Sequence, residues 1–275
     1  MLSIAIAIVA TILLAGAFPR LRETTLRLPL AWTVLAFWLL AGADLVSDNP
    51  AASFLFSAST LCPGMALMGA RRPHHHAWQL IVGCLWVVMV QPALYFLSLP
   101  SGMGFSLHIL RQVFLLVLVG MVVVSFLPTR FGFSGICLLA GFVILFGPQI
   151  PWSGIPGMEF SIPLAGSFFL AGLVVAWLRP RPDRSRCWPA DRLWLDFRDT
   201  FGTFWALRLA DRIKRAAEQE GWKSRLGWRG FSMDDEKQPE ELETEALEQY
   251  LRNIVRRFAS QEWIDRRLAG GEMRE

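Results

Sequence analysis

The sequence predicts an all-α protein: a polytopic membrane helix bundle of about seven spans, followed by a small C-terminal helical domain outside the bilayer. Three observations predict it. The chain is 53% hydrophobic, and its apolar residues gather into seven runs of near-spanning length before residue 179. Charge is segregated: residues 1–178 hold seven Lys or Arg and four Asp or Glu, whereas residues 179–275 hold twenty and nineteen. The charged part repeats its apolar residues at three- and four-residue steps, the helical period. The expected division is a bundle over 1–178, a basic proline-containing linker over 179–189 and an amphipathic helical domain over 190–275.

The expected spans are 2–18, 29–47, 51–70, 77–99, 107–128, 133–150 and 160–178, since about 20 apolar residues cross a bilayer core. With the tail in the cytoplasm, loops 19–28, 71–76 and 129–132 are inside. They carry Arg20, Arg22 and Arg27, then Arg71 and Arg72, then Arg130, while the outer loops hold Asp48 and Glu159 and no basic residue. This is the positive-inside pattern. It implies a multi-pass protein of a bacterial inner membrane with its N-terminus outside. Ala15-Gly16-Ala17 resembles a cleavage site, but no basic residue precedes the first apolar run and three arginines follow it, so an uncleaved anchor is expected.

Polar residues collect at one depth, toward the outer face. Asp44 ends the second span, Gln91 precedes Pro92 in the fourth, and His108, Arg111 and Gln112 head the fifth. An unpaired charge in hydrocarbon costs roughly 2.5–3.5 kcal/mol. Arg111 therefore snorkels to the headgroups or finds a carboxylate, for which Asp44 is the candidate. The functional alternative is a ligand-binding cluster of Arg111, His108, Asp44 and Gln91, with Arg111 holding an anion and His108 or Asp44 exchanging a proton. The outer segment 148–160, rich in proline and glycine, is a candidate cap.

Other chemistry is weakly signalled. His74-His75-His76 are consecutive and do not converge on one metal, and Cys62, Cys84, Cys137 and Cys187 form no CxxC pair, so no metal site and no cofactor is expected. No P-loop, GxGxxG or HExxH occurs. The charged half is nearly balanced, against a nucleic-acid partner.

In the tail, Leu193, Phe197, Phe201, Phe204, Trp205, Leu209 and Ile213 form a stripe on a helix expected over 190–220, weakened at Gly202 and capped by Gly221. The stripe packs within a small domain, lies on lipid, or meets a protein partner; Phe197, Phe201 and Trp205 are its candidate interaction surface. Residues 221–231 read as a turn-rich segment or short hairpin. A second helix is expected over 239–258, and Ser260 caps a third that reaches Leu268.

The segment WLDFRDTFGTFWALRLADRIKRAAEQEGWKSRLGWRGF, residues 194–231, resembles one in multi-pass membrane proteins of planctomycete-type bacteria, through FRDxFG, WALR, and GW followed by LGWRGF. The resemblance covers the tail better than the spans. It implies a bacterial membrane protein and brings neither an activity nor site residues. The expected function is a non-enzymatic membrane scaffold, sensor or assembly subunit. Its partners are the lipid bilayer and a protein met through the tail. Two alternatives stay open: a transporter using the outer cluster, and a membrane-embedded enzyme acting on lipid or polysaccharide precursors.

Overall fold

The computed structural model describes residues 1–71, 75–97, 107–150, 161–180, 187–233 and 241–269. Seven of its helical segments are long and apolar enough to cross a membrane. They are α1 (Leu2–Leu21), α2 (Arg27–Leu45), a third span over Pro50–Met68, α5 (His75–Leu97), α6 (Ile109–Phe126), α7 (Gly132–Phe146) and α8 (Ser161–Leu178). Side chains such as Leu80, Leu110 and Ile12 lie exposed on the outside of these helices, which suits hydrocarbon as solvent. Inside, small residues let the backbones approach: Ala7, Ala10, Ala66, Ala93 and Ala165 are fully buried.

The third span is not one continuous helix, as the sequence pattern predicts, but a broken one. It consists of α3 (Pro50–Ser57), a 3-10 turn over Ala58–Leu61 and α4 (Cys62–Met68). The Ser59 and Thr60 hydroxyls donate to the Phe56 and Ser57 carbonyls at 2.6 and 2.7 Å, and Pro63 lacks an amide to continue the helical ladder. This span lies at the centre of the bundle: 56% of its spanning window is buried, against 28–39% in the other six.

Around it, α2 packs on α1, α3, α4 and α8, and α7 lies along α8. At the α7–α8 contact a Cβ on Gly141 would stand 2.4 Å from the Phe169 ring. Gly141→Leu is therefore expected to lower stability by about 1–3 kcal/mol. Gly120→Leu, whose Cβ would meet nothing within 4 Å, is expected to be neutral. Thermal unfolding of the two detergent-solubilised variants, followed by circular dichroism, checks this.

The chain divides into two compact units. The first holds the spans. The second holds Pro180–Glu275 together with Glu23–Thr25 and Arg71–Pro73. A division by sequence at residue 178 misses these loop pieces, because they join the tail through contacts far apart in the chain.

The second unit is built on α9 (Pro189–Glu220), with α10 (Glu241–Val255) and α11 (Gln261–Leu268) packed against it. Gly202 adopts φ 77° and ψ 176° inside α9 and kinks it; that left-handed φ favours glycine. Phe201 and Trp205, on either side of the kink, both pack on Phe258, at 5.3 and 4.9 Å between ring centroids. Gly221, at φ 70°, ends α9 in a left-handed cap. A two-stranded hairpin follows, β1 (Ser224–Gly227) against β2 (Gly230–Met233). The Phe231 amide donates to Asp191 Oδ1 at 2.6 Å and fastens the hairpin to the first turn of α9. Burial holds the Asp191 carboxyl above its ordinary range, opposed by that amide bond. The Ser224 amide and hydroxyl donate to Glu243, tying the hairpin to α10. Ser260 caps α11 through the Trp263 amide.

The second tail helix stops at Val255 and not at Phe258. The chain tightens there, with the Phe258 amide bonded to the Val255 carbonyl at 2.8 Å. This frees the Phe258 carbonyl to accept the Thr25 amide at 2.9 Å, while the Ser260 amide donates to the Glu23 carbonyl at 2.8 Å. Thr24 and Ala259 thereby form an antiparallel bridge.

Candidate functional site

The polar residues that share a depth in the sequence separate in space. Arg111, in the first turn of α6, donates from Nη2 to Gln91 Oε1 at 2.9 Å. Asp44, in the last turn of α2, accepts the Ser3 hydroxyl at 2.8 Å and joins α2 to α1. No ion pair links Arg111 to Asp44 among the described residues; α6 packs on α4 and α7, and α2 on α1, α3, α4 and α8. The arginine's partner is thus the side-chain amide of Gln91, and the Arg111–Asp44 bridge, one of the two expectations for this arginine, is replaced by two separate hydrogen bonds. His108 is the N-cap of α6, its Nδ1 accepting the Leu110 amide at 3.3 Å. An accepting Nδ1 leaves Nε2 as the nitrogen that bears the proton in the neutral ring. Gln112 is buried; its amide donates to the Leu107 carbonyl at 2.7 Å.

The proposed interaction surface of the tail also resolves differently. Phe197 and Phe201 are fully buried and Trp205 is 6% exposed. Phe197 stacks on Phe201 at 4.8 Å. The rings form the core of their own domain, packed on Phe258 just past the end of α10. The tail's aspartates are likewise engaged internally: Asp199 with Arg198, and Asp196 with Arg267. His74, Ser101, Ser106 and residues 151–160 of the candidate cap lie outside the described residues. Among the described residues, no three His, Cys, Asp or Glu side chains group to hold a metal ion.

What the sequence did not single out is a polar cleft of about 500 Å³ beside the first half of the broken span. Ser47 and Asp48 reach it from the turn after α2, Ser53 and Ser57 from α3, Gln149 from the turn after α7, and Ser161 from the start of α8. Asn49 fixes the turn: its side-chain oxygen accepts the Ala51 and Ala52 amides at 3.1 Å each, and Pro50 starts α3. Ser53 and Ser57 stand one helical turn apart, so they share a face. None of the six polar side chains is hydrogen-bonded to another described residue, and all six line the cleft. Among the described residues, Asp48 is the single charged group in the lining. The arrangement offers several hydroxyls, one carboxamide and one carboxylate: acceptors and donors for a small polar solute, with a field that repels anions. The readable signal was the i, i+4 spacing of Ser53 and Ser57, beginning five residues past Asp48; serines are common enough in membrane helices that the spacing alone indicates no site.

No protein family, curated protein or solved structure was found to match the chain.

Proposed function

We propose that the chain is a non-enzymatic sensor of a bacterial inner membrane, with its N-terminus outside and its helical tail in the cytoplasm, and that it binds a small neutral or cationic polar solute in the cleft of the broken third span. The positive-inside distribution of arginine supports the orientation. The observation that carries the binding reading is the cleft itself: six polar side chains line one 500 Å³ space and serve no internal bond among the described residues. Asp48 supplies the charge selectivity, and the paired Ser53 and Ser57 hydroxyls orient the ligand.

A hydroxyl-bearing cation tests this. Glucosamine is expected to stabilise the purified protein in nanodiscs against heat, glucose to do so more weakly, and gluconate not at all. Asp48→Asn is expected to weaken glucosamine binding about tenfold, the loss of one charge-assisted hydrogen bond. Equal binding of gluconate, or an Asp48→Asn variant with unchanged affinity, would sink the reading.

The break in the third span favours a second reading, a transporter. Discontinuous helices supply the binding sites of many secondary transporters. Uptake of labelled ligand into proteoliposomes separates the two, since a sensor binds without uptake.

A further inference from the structure

The second unit is nearly balanced in charge, but several of its carboxylates are engaged by particular arginines and other arginines are left without a carboxylate among the described residues. Asp211 is taken by Arg215 at 2.6 Å, Asp265 by Arg252 at 3.3 Å, and Glu23 by Arg266. Arg71, Arg208, Arg212 and Arg257 have no carboxylate partner among the described residues, and the last three are exposed. Packing brings them together. Arg208 lies over the Phe204 and Trp205 rings, its Cζ 4.9 and 5.7 Å from their centroids. Trp205 packs on Phe258, the residue after Arg257. Arg212 is one turn beyond Arg208 on α9, and its carbonyl accepts the Tyr250 hydroxyl of α10 at 3.2 Å. Arg71 joins this unit by its backbone contacts and is partly buried; in keeping with that placement, burial first, then repulsion by Arg257, Arg212 and Arg208, lowers the pKa of its guanidinium.

Four like charges converging without a counter-ion are unfavourable unless an anion joins them. Guanidinium groups match a phosphate's planar pairs of oxygens by paired hydrogen bonds. Chain position adds a direction. Arg71 follows the end of the third span by three residues, since α4 ends at Met68. Its side chain is therefore within reach of the headgroup layer on that side of the membrane.

We propose that Arg71, Arg208, Arg212 and Arg257 form an oxyanion site that takes a phosphate group, supplied by the headgroup of an anionic phospholipid. The site fastens the second unit to lipid through charge, where the aromatic stripe of α9 is occupied in its own core. The proposal is independent of the cleft and its ligand.

The test uses the full chain in phosphatidylcholine nanodiscs, with and without phosphatidylglycerol, and native mass spectrometry of the lipid that stays bound. The double variant Arg212→Gln, Arg257→Gln removes two exposed charges that make no internal ion pair, so the fold is expected to persist; hydrogen exchange over α9 verifies it. Wild type is expected to retain phosphatidylglycerol over phosphatidylcholine, and the double variant to retain about tenfold less. Arg212→Lys with Arg257→Lys is expected to recover part of the preference by keeping charge without the fork geometry. Equal retention by wild type and a folded double variant would overturn the site. Millimolar inorganic phosphate gives the other arm. If phosphate slows exchange over α9 in phosphatidylcholine discs and phosphatidylglycerol does not, the site stands and the lipid source is overturned.

Discussion

Phe258→Ala is expected to destabilise the C-terminal unit by about 3–5 kcal/mol, the usual cost of deleting a fully buried phenyl ring. Phe258 is 4% exposed and meets three other rings: Phe197 at 5.1 Å, Phe201 at 5.3 Å and Trp205 at 4.9 Å, all edge-on. It fills the elbow that the Gly202 kink opens in α9, so its removal leaves a cavity between α9 and the end of α10 that neither backbone can close. A small domain is stable by roughly 5–15 kcal/mol, so the variant loses a large share of its margin. Hydrogen exchange of peptides from α9 and α10 in the full-length protein reads the effect directly. Leu207→Ala is the control: Leu207 is 56% exposed on the same helix, and its truncation is expected to change stability by less than about 0.5 kcal/mol. A Phe258→Ala protein with wild-type protection would mean that the aromatic cluster does not hold the domain together.

The parts legible in the sequence were those set by local chemistry. Seven apolar runs correspond to seven helical segments long and apolar enough to cross a membrane, the third of them broken, because length and hydropathy are properties of local sequence. Gly221 and Ser260 marked helix ends because left-handed backbone and an N-cap hydroxyl are demands of single positions. The site was less legible, for a geometric reason. Depth along a span can be read from sequence, but angular position around the bundle cannot. Arg111 and Asp44 share a depth and yet bond to different neighbours, Gln91 and Ser3. The cleft needs residues from the turn after α2, from α3, from the end of α7 and the turn after it, and from α8 to converge, which no single segment announces. The stripe of Phe197, Phe201 and Trp205 was readable as apolar, but whether it faces lipid, a partner or its own domain depends on the kink at Gly202 and on Phe258, 53 residues beyond Trp205.

Thr25→Pro is expected to destabilise the same unit by about 2–4 kcal/mol, although residue 25 lies in the connection between α1 and α2. Thr24 and Thr25 are 1% and 7% exposed, and the Thr25 amide is the donor to the Phe258 carbonyl. Proline has no amide to donate. It leaves that buried carbonyl unpaired, and if the strand detaches, the Ser260 amide loses the Glu23 carbonyl as well. An extended Thr24 is what a following proline prefers, so the variant deletes the donor without opposing the local backbone. Thr25→Ala keeps the amide and is expected to lose much less. Hydrogen exchange at 256–264 in the full chain separates them: Thr25→Pro releases the turn after α10 and the start of α11, and Thr25→Ala does not. A fragment of residues 187–275 lacks the strand altogether and is expected to show the same loss of protection, restored in part by adding a peptide of residues 19–27. If the fragment and the Thr25→Pro protein both keep full protection, the bridge between Thr24 and Ala259 adds nothing to the domain's stability. If both lose it, the C-terminal unit is a discontinuous domain whose last strand is supplied by the first loop of the bundle, and truncations that cut at the linker remove a structural element along with the spans.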